Sequence, residues 1–322
     1  MATHSTFLRA HTQHRRAAGQ SLVIGHQELG ERLYLASAIA QTGITLCNLR
    51  TPFGSSIRAS CDGLLCLWGD ETRQYNIFNP LTGRSIILPN DKRLQTSLLG
   101  LYFRHSTSEY CLLAASQDET NILVVGSNSW KKISCRLPAF CDLPNTVDLN
   151  GCLHWLAWKQ KPPIYHEIYT PPPDIIMTFD KESEIYDLLC LPLPEKVLER
   201  NGSKYNLVNF NGEFGLWVAY EDGLELWVLE ESLVKKYSVK YGEDEAFLFF
   251  DLGAGTWLLG VAVSIGDEEL LIDFSVHETL HYLIRWNLKS GAYTLLDWKI
   301  NYRRVVTTFP YIESLLDPNH SF

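Results

Sequence analysis

Residues 59–80 read ASCDGLLCLWGDETRQYNIFNP, and this stretch decides the fold class. Asp62 and Gly63 favour a tight turn, because both residue types tolerate the positive φ that a two-residue hairpin needs. Apolar runs of strand length follow at residues 63–68 and 75–78. We therefore predict short antiparallel strands joined by turns.

The same combination of short apolar runs and turn pairs continues along the chain. Turn pairs recur at Asn150-Gly151, Asn211-Gly212 and Asp222-Gly223, and each pair is expected to supply positive φ. Further strands are predicted at residues 121–125, 175–179, 184–190, 214–220, 224–229, 257–263, 269–274 and 282–286. The pattern predicts an all-β chain.

The runs also repeat with a period near 50 residues. A recurring strand end with an aromatic residue beside a polar turn lies at positions 79, 129, 180, 227 and 286, with steps of 50, 51, 47 and 59 residues. Such a period is typical of one four-stranded propeller blade per repeat. Segments 21–49 and 303–316 flank the repeats, and we predict that they pair as a sixth unit. The expected fold is a β-propeller-like ring of about six four-stranded blades, and two packed antiparallel sheets are the alternative.

A short helix is predicted at the N-terminus. Ser5 can cap it, Phe7 and Ala10 fall at helical spacing, and Gly19 would end it. We expect residues 1–20 to form a linker with this helix and residues 21–322 to form the β domain.

Charge and cysteine spacing limit the partners and the compartment. The 28 Lys and Arg against 37 Asp and Glu give a net charge of −9, which disfavours nucleic-acid and anionic-membrane partners. No apolar run approaches the length of a membrane span, and residues 1–7 do not resemble a signal peptide. The eight cysteines include no C-x-x-C pair, which favours buried reduced thiols. We expect the chain in the cytoplasm or the nucleus.

One enzymatic motif occurs, in a context that does not suit it. Residues 277–281 read HETLH and match the H-E-x-x-H zinc pattern, which needs a helix to place both histidines on one side. The flanking runs predict a hairpin here, so we expect no metal. Acidic residues 118–119 and 267–269 lie in turn-like clusters, and phosphate-loop, nucleotide-binding and serine-hydrolase motifs are missing. We expect no catalytic residue and no cofactor, and a propeller-type hydrolase is the alternative.

The longest irregular stretch covers residues 159–173 and contains five prolines. Long loops on a rigid β scaffold often carry binding residues. Tyr165, His166 and Tyr169 are therefore candidate partner-binding residues. The alternative is a proline-rich bulge without contacts.

Several segments, taken in order, resemble the plant F-box-associated domain. Among them are the Cys61-Asp62-Gly63-Leu64-Leu65-Cys66 run, the Asn79-Pro80 turn and the Asn150-Gly151 turn followed by His154-Trp155. The matching segments are residues 59–67, 78–80, 88–89, 100–102, 109–113, 128–131, 149–156, 175–180, 191–192, 226–229 and 312–315. The resemblance spans about residues 58–316 and implies a β-propeller-like fold.

The resemblance also implies a non-catalytic role in an SCF-type ubiquitin ligase. In such proteins an N-terminal F-box binds a Skp-type adaptor, and the associated domain holds the protein substrate. No F-box is recognised here, and residues 6–11 resemble the segment that follows one. We therefore expect residues 1–20 to be a remnant of the F-box-to-domain linker, so that adaptor and cullin would join only through the missing F-box. The expected partner is a protein substrate of unknown identity, and a stand-alone or decoy receptor is the alternative.

The residues that carry the resemblance are expected to build the blades rather than to form a binding site, because most lie in apolar strands or at turns. They are Cys61, Gly63, Asn79, Pro80, Trp130, Gly151, His154, Trp155, Phe179 and Trp227.

Overall fold

A computed structural model gives the fold of the chain. It describes residues 21–26, 32–37, 45–50, 55–69, 72–89, 98–115, 119–133, 137, 139, 146–160, 172–191, 193, 197, 204–220, 223–240, 257–264, 268–276, 280–301, 307–311 and 318. The predicted N-terminal helix over residues 5–18 lies outside them. Apart from the single helical residue Val197, the elements of this part of the chain are strands, which confirms the all-β prediction.

The strands follow one another closely along the chain. The first twelve are β1 (Ser21–His26), β2 (Arg32–Ser37), β3 (Thr45–Arg50), β4 (Ser55–Cys61), β5 (Leu64–Gly69), β6 (Gln74–Asn79), β7 (Arg84–Ile87), β8 (Leu98–Arg104), β9 (Glu109–Ala115), β10 (Thr120–Val124), β11 (Lys131–Ile133) and β12 (Val147–Leu149). The others are β13 (Cys152–Ala157), β14 (Ile175–Asp180), β15 (Tyr186–Cys190), β16 (Lys204–Phe210), β17 (Glu213–Tyr220), β18 (Gly223–Leu229), β19 (Leu233–Lys240), β20 (Trp257–Ser264), β21 (Glu269–Val276), β22 (Leu280–Asn287), β23 (Tyr293–Asn301) and β24 (Thr307–Tyr311).

The described strands form six four-stranded sheets. Five sheets use consecutive strands: β4–β7, β8–β11, β12–β15, β16–β19 and β20–β23. The sixth has the order β24-β1-β2-β3. One sheet per repeat of about 50 residues agrees with the predicted blades, and the alternative of two packed sheets is wrong.

The sixth sheet pairs the last described strand with the first three described strands. β24 pairs antiparallel with β1, with Leu22 opposite Pro310 and Ile24 opposite Thr308. The predicted pairing of the flanking segments is confirmed. It gives β1 a hydrogen-bonded neighbour on both sides, so that its backbone groups are not left at an open edge.

Three of the predicted turn pairs have the expected backbone geometry. The φ angles are 49° and 80° at Asp62-Gly63, 51° and 82° at Asn150-Gly151, and 53° and 85° at Asn211-Gly212. Positive φ at both central residues matches the twist of the flanking strands, so each pair closes a tight hairpin.

The prediction of positive φ at Gly223 is wrong. Gly223 is the first residue of β18, and its φ is not positive. A Cβ there would lie 2.1 Å from the carbonyl oxygen of Val239, so close approach of the backbone of β19 requires glycine.

The repeat has a local physical cause at the ends of the third strands. Asn79, Asp180 and Asn287 each end the third strand of a sheet, and each side-chain Oδ1 accepts hydrogen bonds from backbone N–H groups two or three residues later. Short side chains of this kind satisfy turn amides that no strand partner reaches. The other two repeat positions differ, because Trp130 lies between β10 and β11 and Trp227 lies inside β18.

The chain divides into two compact units, residues 1–138, 179–186 and 306–322, and residues 139–178 and 187–305. In the first unit β4 contacts both β24 and β8, and one apolar core cluster is shared by β4–β7 and β8–β11. In the second unit β16 contacts both β12 and β20, and the fully buried Trp217 and Trp286 lie in the core cluster of β16–β23. Within each unit, neighbouring sheets therefore bury their faces against one another.

The HETLH segment lies at the predicted hairpin. β21 and β22 pair antiparallel, with Val276 opposite Leu280 and Ser275 opposite His281. Residues 277–279 lie outside the described residues, and the backbone of His281 belongs to a strand. Within the described ranges, no helix has the length and hydropathy needed to cross a bilayer.

Candidate functional site

Trp130 links two neighbouring sheets of the first unit. Its Nε1 donates a 3.1 Å hydrogen bond to the backbone carbonyl oxygen of Pro89, which follows β7. The half-buried indole also packs against the core cluster that β4–β7 and β8–β11 share. The indole thus makes its contacts inside the domain.

The turn between β4 and β5 is tied to the next sheet through a second polar contact. The hydroxyl of Tyr110, on β9, donates a 3.2 Å hydrogen bond to Oδ2 of Asp62, and both side chains are buried. Cys61 packs half-buried beside them, and Gly63 completes the turn. Asn79 and the adjacent Pro80 are also buried, where Asn79 caps its turn.

His154 and Trp155 make their contacts within the second unit. Nε2 of the buried His154 lies 3.1 Å from the carbonyl oxygen of Leu149, and its ring meets Phe214 of the neighbouring sheet edge-on, with centroids 4.3 Å apart. Trp155 is 2% exposed, and its Nε1 donates a 2.8 Å hydrogen bond to Oγ1 of Thr146. Neither side chain faces solvent.

Phe179 packs against an aromatic ring, whereas Trp227 also contacts charged side chains. Phe179 is fully buried, and its ring lies edge-on to Tyr102 with centroids 6.0 Å apart. Trp227 donates from Nε1 to Oε2 of Glu225 at 3.1 Å, while Nζ of Lys235 lies 5.8 Å from its ring centroid. Trp227 thus combines core packing with a charged neighbour at the outer strand β19.

Five cysteines are free thiols that differ in exposure: Cys61, Cys66, Cys111, Cys152 and Cys190. Cys66 and Cys111 are fully buried, and burial raises the pKa of both thiols, to about 11 for Cys111. Cys190 is exposed, contrary to the expectation of buried thiols. Since the thiolate is the nucleophile, Cys66 and Cys111 are poor candidates for chemistry.

The acidic clusters that sequence analysis singled out form ion pairs where the structure describes them. Glu119 pairs with Lys132 at 2.8 Å, and Glu269 pairs with Arg285 at 2.6 Å. In the described residues, no three His, Cys, Asp or Glu side chains lie close enough together to hold a metal ion.

The candidate loop residues Tyr165, His166 and Tyr169 lie outside the described residues, so their binding role stays a prediction. The two ends of their segment are described and meet at one place. Nε1 of Trp158 donates a 3.1 Å hydrogen bond to the carbonyl oxygen of Pro172. The two ends of the loop therefore lie next to each other at the sheet.

The base of this loop also contacts the outer strand β15. The backbone N–H of Lys159 donates a 2.9 Å hydrogen bond to Oδ1 of Asp174, which precedes β14. Nζ of Lys159 lies 3.7 Å from Sγ of Cys190, the last residue of β15.

β15 exposes apolar side chains that sequence analysis did not single out. Leu188 is 37% exposed and Leu189 is 43% exposed, although they follow each other on one strand. An outer strand has no neighbour on one side, so side chains on both of its faces can stay in contact with water. The strand itself was predicted over residues 184–190, but its outer place in the sheet depends on tertiary pairing.

A charged cluster joins the β8–β9 hairpin to the turn between β14 and β15. Arg104 contacts Glu109 at 2.6 Å and Glu184 at 2.7 Å, and Lys131 contacts Glu184 at 2.8 Å. The pKa of Glu109 is lowered, first by a hydrogen bond from Thr107 and then by Arg104. All of these groups satisfy one another, so the cluster serves as a connection rather than an open site.

Comparison with solved structures supports the propeller fold. The chain resembles TolB from Acinetobacter baumannii with a TM-score of 0.56 and 10% identity, over 90% of this chain and 66% of that one. A chain of the nidogen/laminin complex gives a TM-score of 0.54 and 12% identity, over 92% of this chain and 100% of that one. At such low identity these likenesses concern the fold alone.

Comparison with known sequences gives the family. An F-box protein of Arabidopsis thaliana is 23% identical over an alignment of 228 positions, which covers 60% of this chain and 52% of that protein. An F-box/kelch-repeat protein of the same plant is 25% identical over an alignment of 209 positions, which covers 55% of this chain and 44% of that protein. The chain thus spans about half the length of the curated relatives it matches. The model of the F-box associated beta propeller domain matches residues 36–242, more than half of the chain, and the chain therefore belongs to this family.

Proposed function

We propose that this domain is the substrate-holding part of an SCF-type ubiquitin ligase receptor. The observation that carries the proposal is the match of residues 36–242 to the F-box associated β-propeller domain. Curated relatives with similar segments are an F-box protein and an F-box/kelch-repeat protein. The partner would be a protein substrate, and the adaptor and cullin would join through the F-box.

The placement of the signature residues supports a binding scaffold. Trp130, His154 and Trp155 direct their polar atoms to backbone or side-chain partners inside the sheets. Such contacts hold sheets and turns in fixed positions, and loops and outer strands on a rigid β scaffold are where partners usually bind. The exposed strand β15 and the loop anchored at Trp158 are of this kind.

The chemistry of the described side chains supports a non-catalytic role. The buried thiols of Cys66 and Cys111 have raised pKa values and are protonated at neutral pH. Glu109 and Glu182 have lowered pKa values, so they are ionised and poorly suited to act as general acids. The free thiols among the described residues also suit a reducing compartment, and we propose that the protein resides in the cytoplasm or the nucleus.

The test uses the 322-residue chain with and without an F-box fused ahead of Thr6. The fusion should co-purify with a Skp-type adaptor and direct ubiquitination of a defined set of proteins in plant cells. The unfused chain should retain the same proteins without the adaptor. A one-to-one complex of the unfused chain with adaptor at micromolar concentration would contradict this division of roles. A fusion that assembles with adaptor and cullin but retains and modifies no protein would contradict substrate receptor function.

A further inference from the structure

The outer edge of β15 offers both backbone and side-chain groups to a partner. Resting on the proposed function, we infer that this edge binds an extended segment of the substrate as an added strand, with apolar side chains over Leu188 and Leu189 and a basic side chain beside Asp187. Strand addition of this type draws affinity from main-chain hydrogen bonds and specificity from alternating side chains.

The backbone direction of β15 follows from its pairing with β14. The N–H of Leu191 donates a 3.1 Å hydrogen bond to the carbonyl oxygen of Asp174. Hydrogen-bonding residues alternate along an antiparallel strand, so Leu189 also points its backbone groups toward β14. Those of Leu188 and Cys190 then point to the open edge. An added strand can bond there to both carbonyl oxygens and to the N–H of Cys190, while the N–H of Leu188 donates to Oδ1 of Asp187.

The side chains at this edge define the chemistry of the added strand. Successive residues point to opposite faces, so Leu188 and Leu189 would each be covered by a different side chain of the partner. Asp187 shares a face with Leu189, and its Oδ1 accepts a 2.8 Å hydrogen bond from the N–H of Leu188. Within the described part of the chain, Asp187 has no cation within salt-bridge distance. A Lys or Arg of the partner would supply one.

The outer strands β11 and β19 are protected against strand addition, whereas β15 is not. Lys131 and Lys132 lie on β11, and Lys235 and Lys236 lie on β19, where Val234 is as exposed as Leu188. Charged side chains on an edge discourage pairing, because an added strand would have to bury or displace them. β15 reads Tyr-Asp-Leu-Leu-Cys and carries no basic residue.

Charge also favours a basic partner over a second copy of this chain. Each copy carries a net charge of −9, and edge-to-edge pairing of two β15 strands would bring in another acidic Asp187 rather than a cation. A segment with two consecutive apolar residues, one for each face, and a Lys or Arg directly beside the pair fits both leucines and the carboxylate.

The test selects phage-displayed nonapeptides that carry two consecutive Val, Ile or Leu residues with Lys or Arg directly beside the pair and polar residues elsewhere. Selected peptides are titrated against the full chain and against Leu189→Lys, Asp187→Lys and the matched edge control Val234→Lys. Leu189→Lys and Asp187→Lys should each weaken binding about tenfold or more, as expected at the centre of an interface. Val234→Lys should change it by less than about twofold, as expected at a surface site away from the interface.

Two further readouts make the result specific to the edge. Replacing the peptide's basic residue with Glu should restore binding to Asp187→Lys, and bound peptide should slow hydrogen exchange at the amide of Cys190. Failure to enrich any peptide, equal binding to Leu189→Lys, or equal loss with Val234→Lys would overturn the inference. A dimer in light scattering that Leu189→Lys dissociates would overturn it in favour of a second copy.

The F-box fusion separates failure of this inference from failure of the proposed function. A fusion carrying Leu189→Lys that still ubiquitinates the full set of proteins would overturn the β15 edge and leave the receptor function intact. A wild-type fusion that modifies no protein would overturn the receptor function, and the peptide measurements would still decide whether the edge binds extended segments.

Discussion

Arg104 and Glu184 form a 2.7 Å salt bridge that joins the β8–β9 hairpin to the turn between β14 and β15. Their side chains are only 14% and 13% exposed, so the pair is shielded from water. Glu184 has a φ of 58°, a left-handed conformation that is uncommon for a residue other than glycine. The salt bridge therefore helps to hold a strained turn against the neighbouring hairpin.

Replacing Arg104 with Leu should lower the free energy of unfolding by about 2 kcal/mol, because Glu184 would lose a charged hydrogen-bond partner in a mostly buried place. Urea unfolding measures the change. Lys131→Met is the control, since Lys131 contacts the same carboxylate but is 67% exposed, and it should cost less than about 1 kcal/mol. Equal effects of the two substitutions would show that burial of the pair does not matter.

Stability should fall in acid partly through Glu182. Its pKa is lowered, first by the hydrogen bond from Ser106 and also by the backbone N–H of His105. A lowered folded-state pKa stabilises the fold above the unfolded pKa of about 4.5, and this contribution is lost as pH falls through the folded value. The urea midpoint of Glu182→Gln should thus depend less on pH below about 4.5 than that of wild type. The exposed Glu231→Gln should follow wild type, and a Glu182→Gln curve parallel to wild type down to pH 3 would contradict the linkage.

Local turn chemistry made much of the fold predictable from sequence. The pairs at Asp62-Gly63 and Asn150-Gly151 need positive φ, and few residue types supply it, so the hairpins could be located. The side chains of Asn79 and Asp180 accept hydrogen bonds from turn amides. Because such residues recur at similar places in the repeats, the period could be recognised in the sequence. Gly223 shows the limit of this reasoning. Glycine is required there because the backbone of Val239 on the neighbouring strand lies too close for a Cβ, and no local sequence pattern contains this contact.

The candidate site was less predictable, because exposure depends on the order of strands within a sheet. Leu188 and Leu189 look like core residues in sequence, and only the pairing with β14 makes their strand the outer one. The Arg104–Glu184 contact joins residues 80 positions apart and has no signal in either segment. The side chains that a strand buries can be predicted from its sequence pattern only when its neighbouring strands are known.

Cysteine alkylation should follow the different exposure of the thiols. Burial raises the pKa of Cys111 from 9.0 to about 11, which alone lowers its thiolate fraction about hundredfold at pH 8. With iodoacetamide, the exposed Cys190 should react first, while Cys66 and Cys111 should react only after unfolding in urea. Peptide mass spectrometry resolves the sites, and rapid labelling of Cys66 in the folded chain would contradict its burial.

The HETLH segment should bind no zinc. His281 lies on β22, and the flanking strands pair as a hairpin, whereas the zinc motif needs both histidines on one helical face. Elemental analysis of tag-free protein should find well under one zinc per chain. Stoichiometric zinc that is lost in both His277→Ala and His281→Ala would show a metal site here.

Trp155→Ala should unfold the domain rather than remove binding selectively. Trp155 is 2% exposed on β13, and its Nε1 bonds to Thr146 across the start of the sheet. Losing a buried aromatic side chain typically costs about 3–5 kcal/mol, a large share of the roughly 5–15 kcal/mol that stabilises a domain. Trp155→Phe should lose less because the ring still fills most of the space, and the half-buried Trp158→Ala should also cost less. Circular dichroism melting compares the three variants. A Trp155→Ala chain with the melting temperature of wild type that no longer retains substrate would place Trp155 in a binding surface instead of the core.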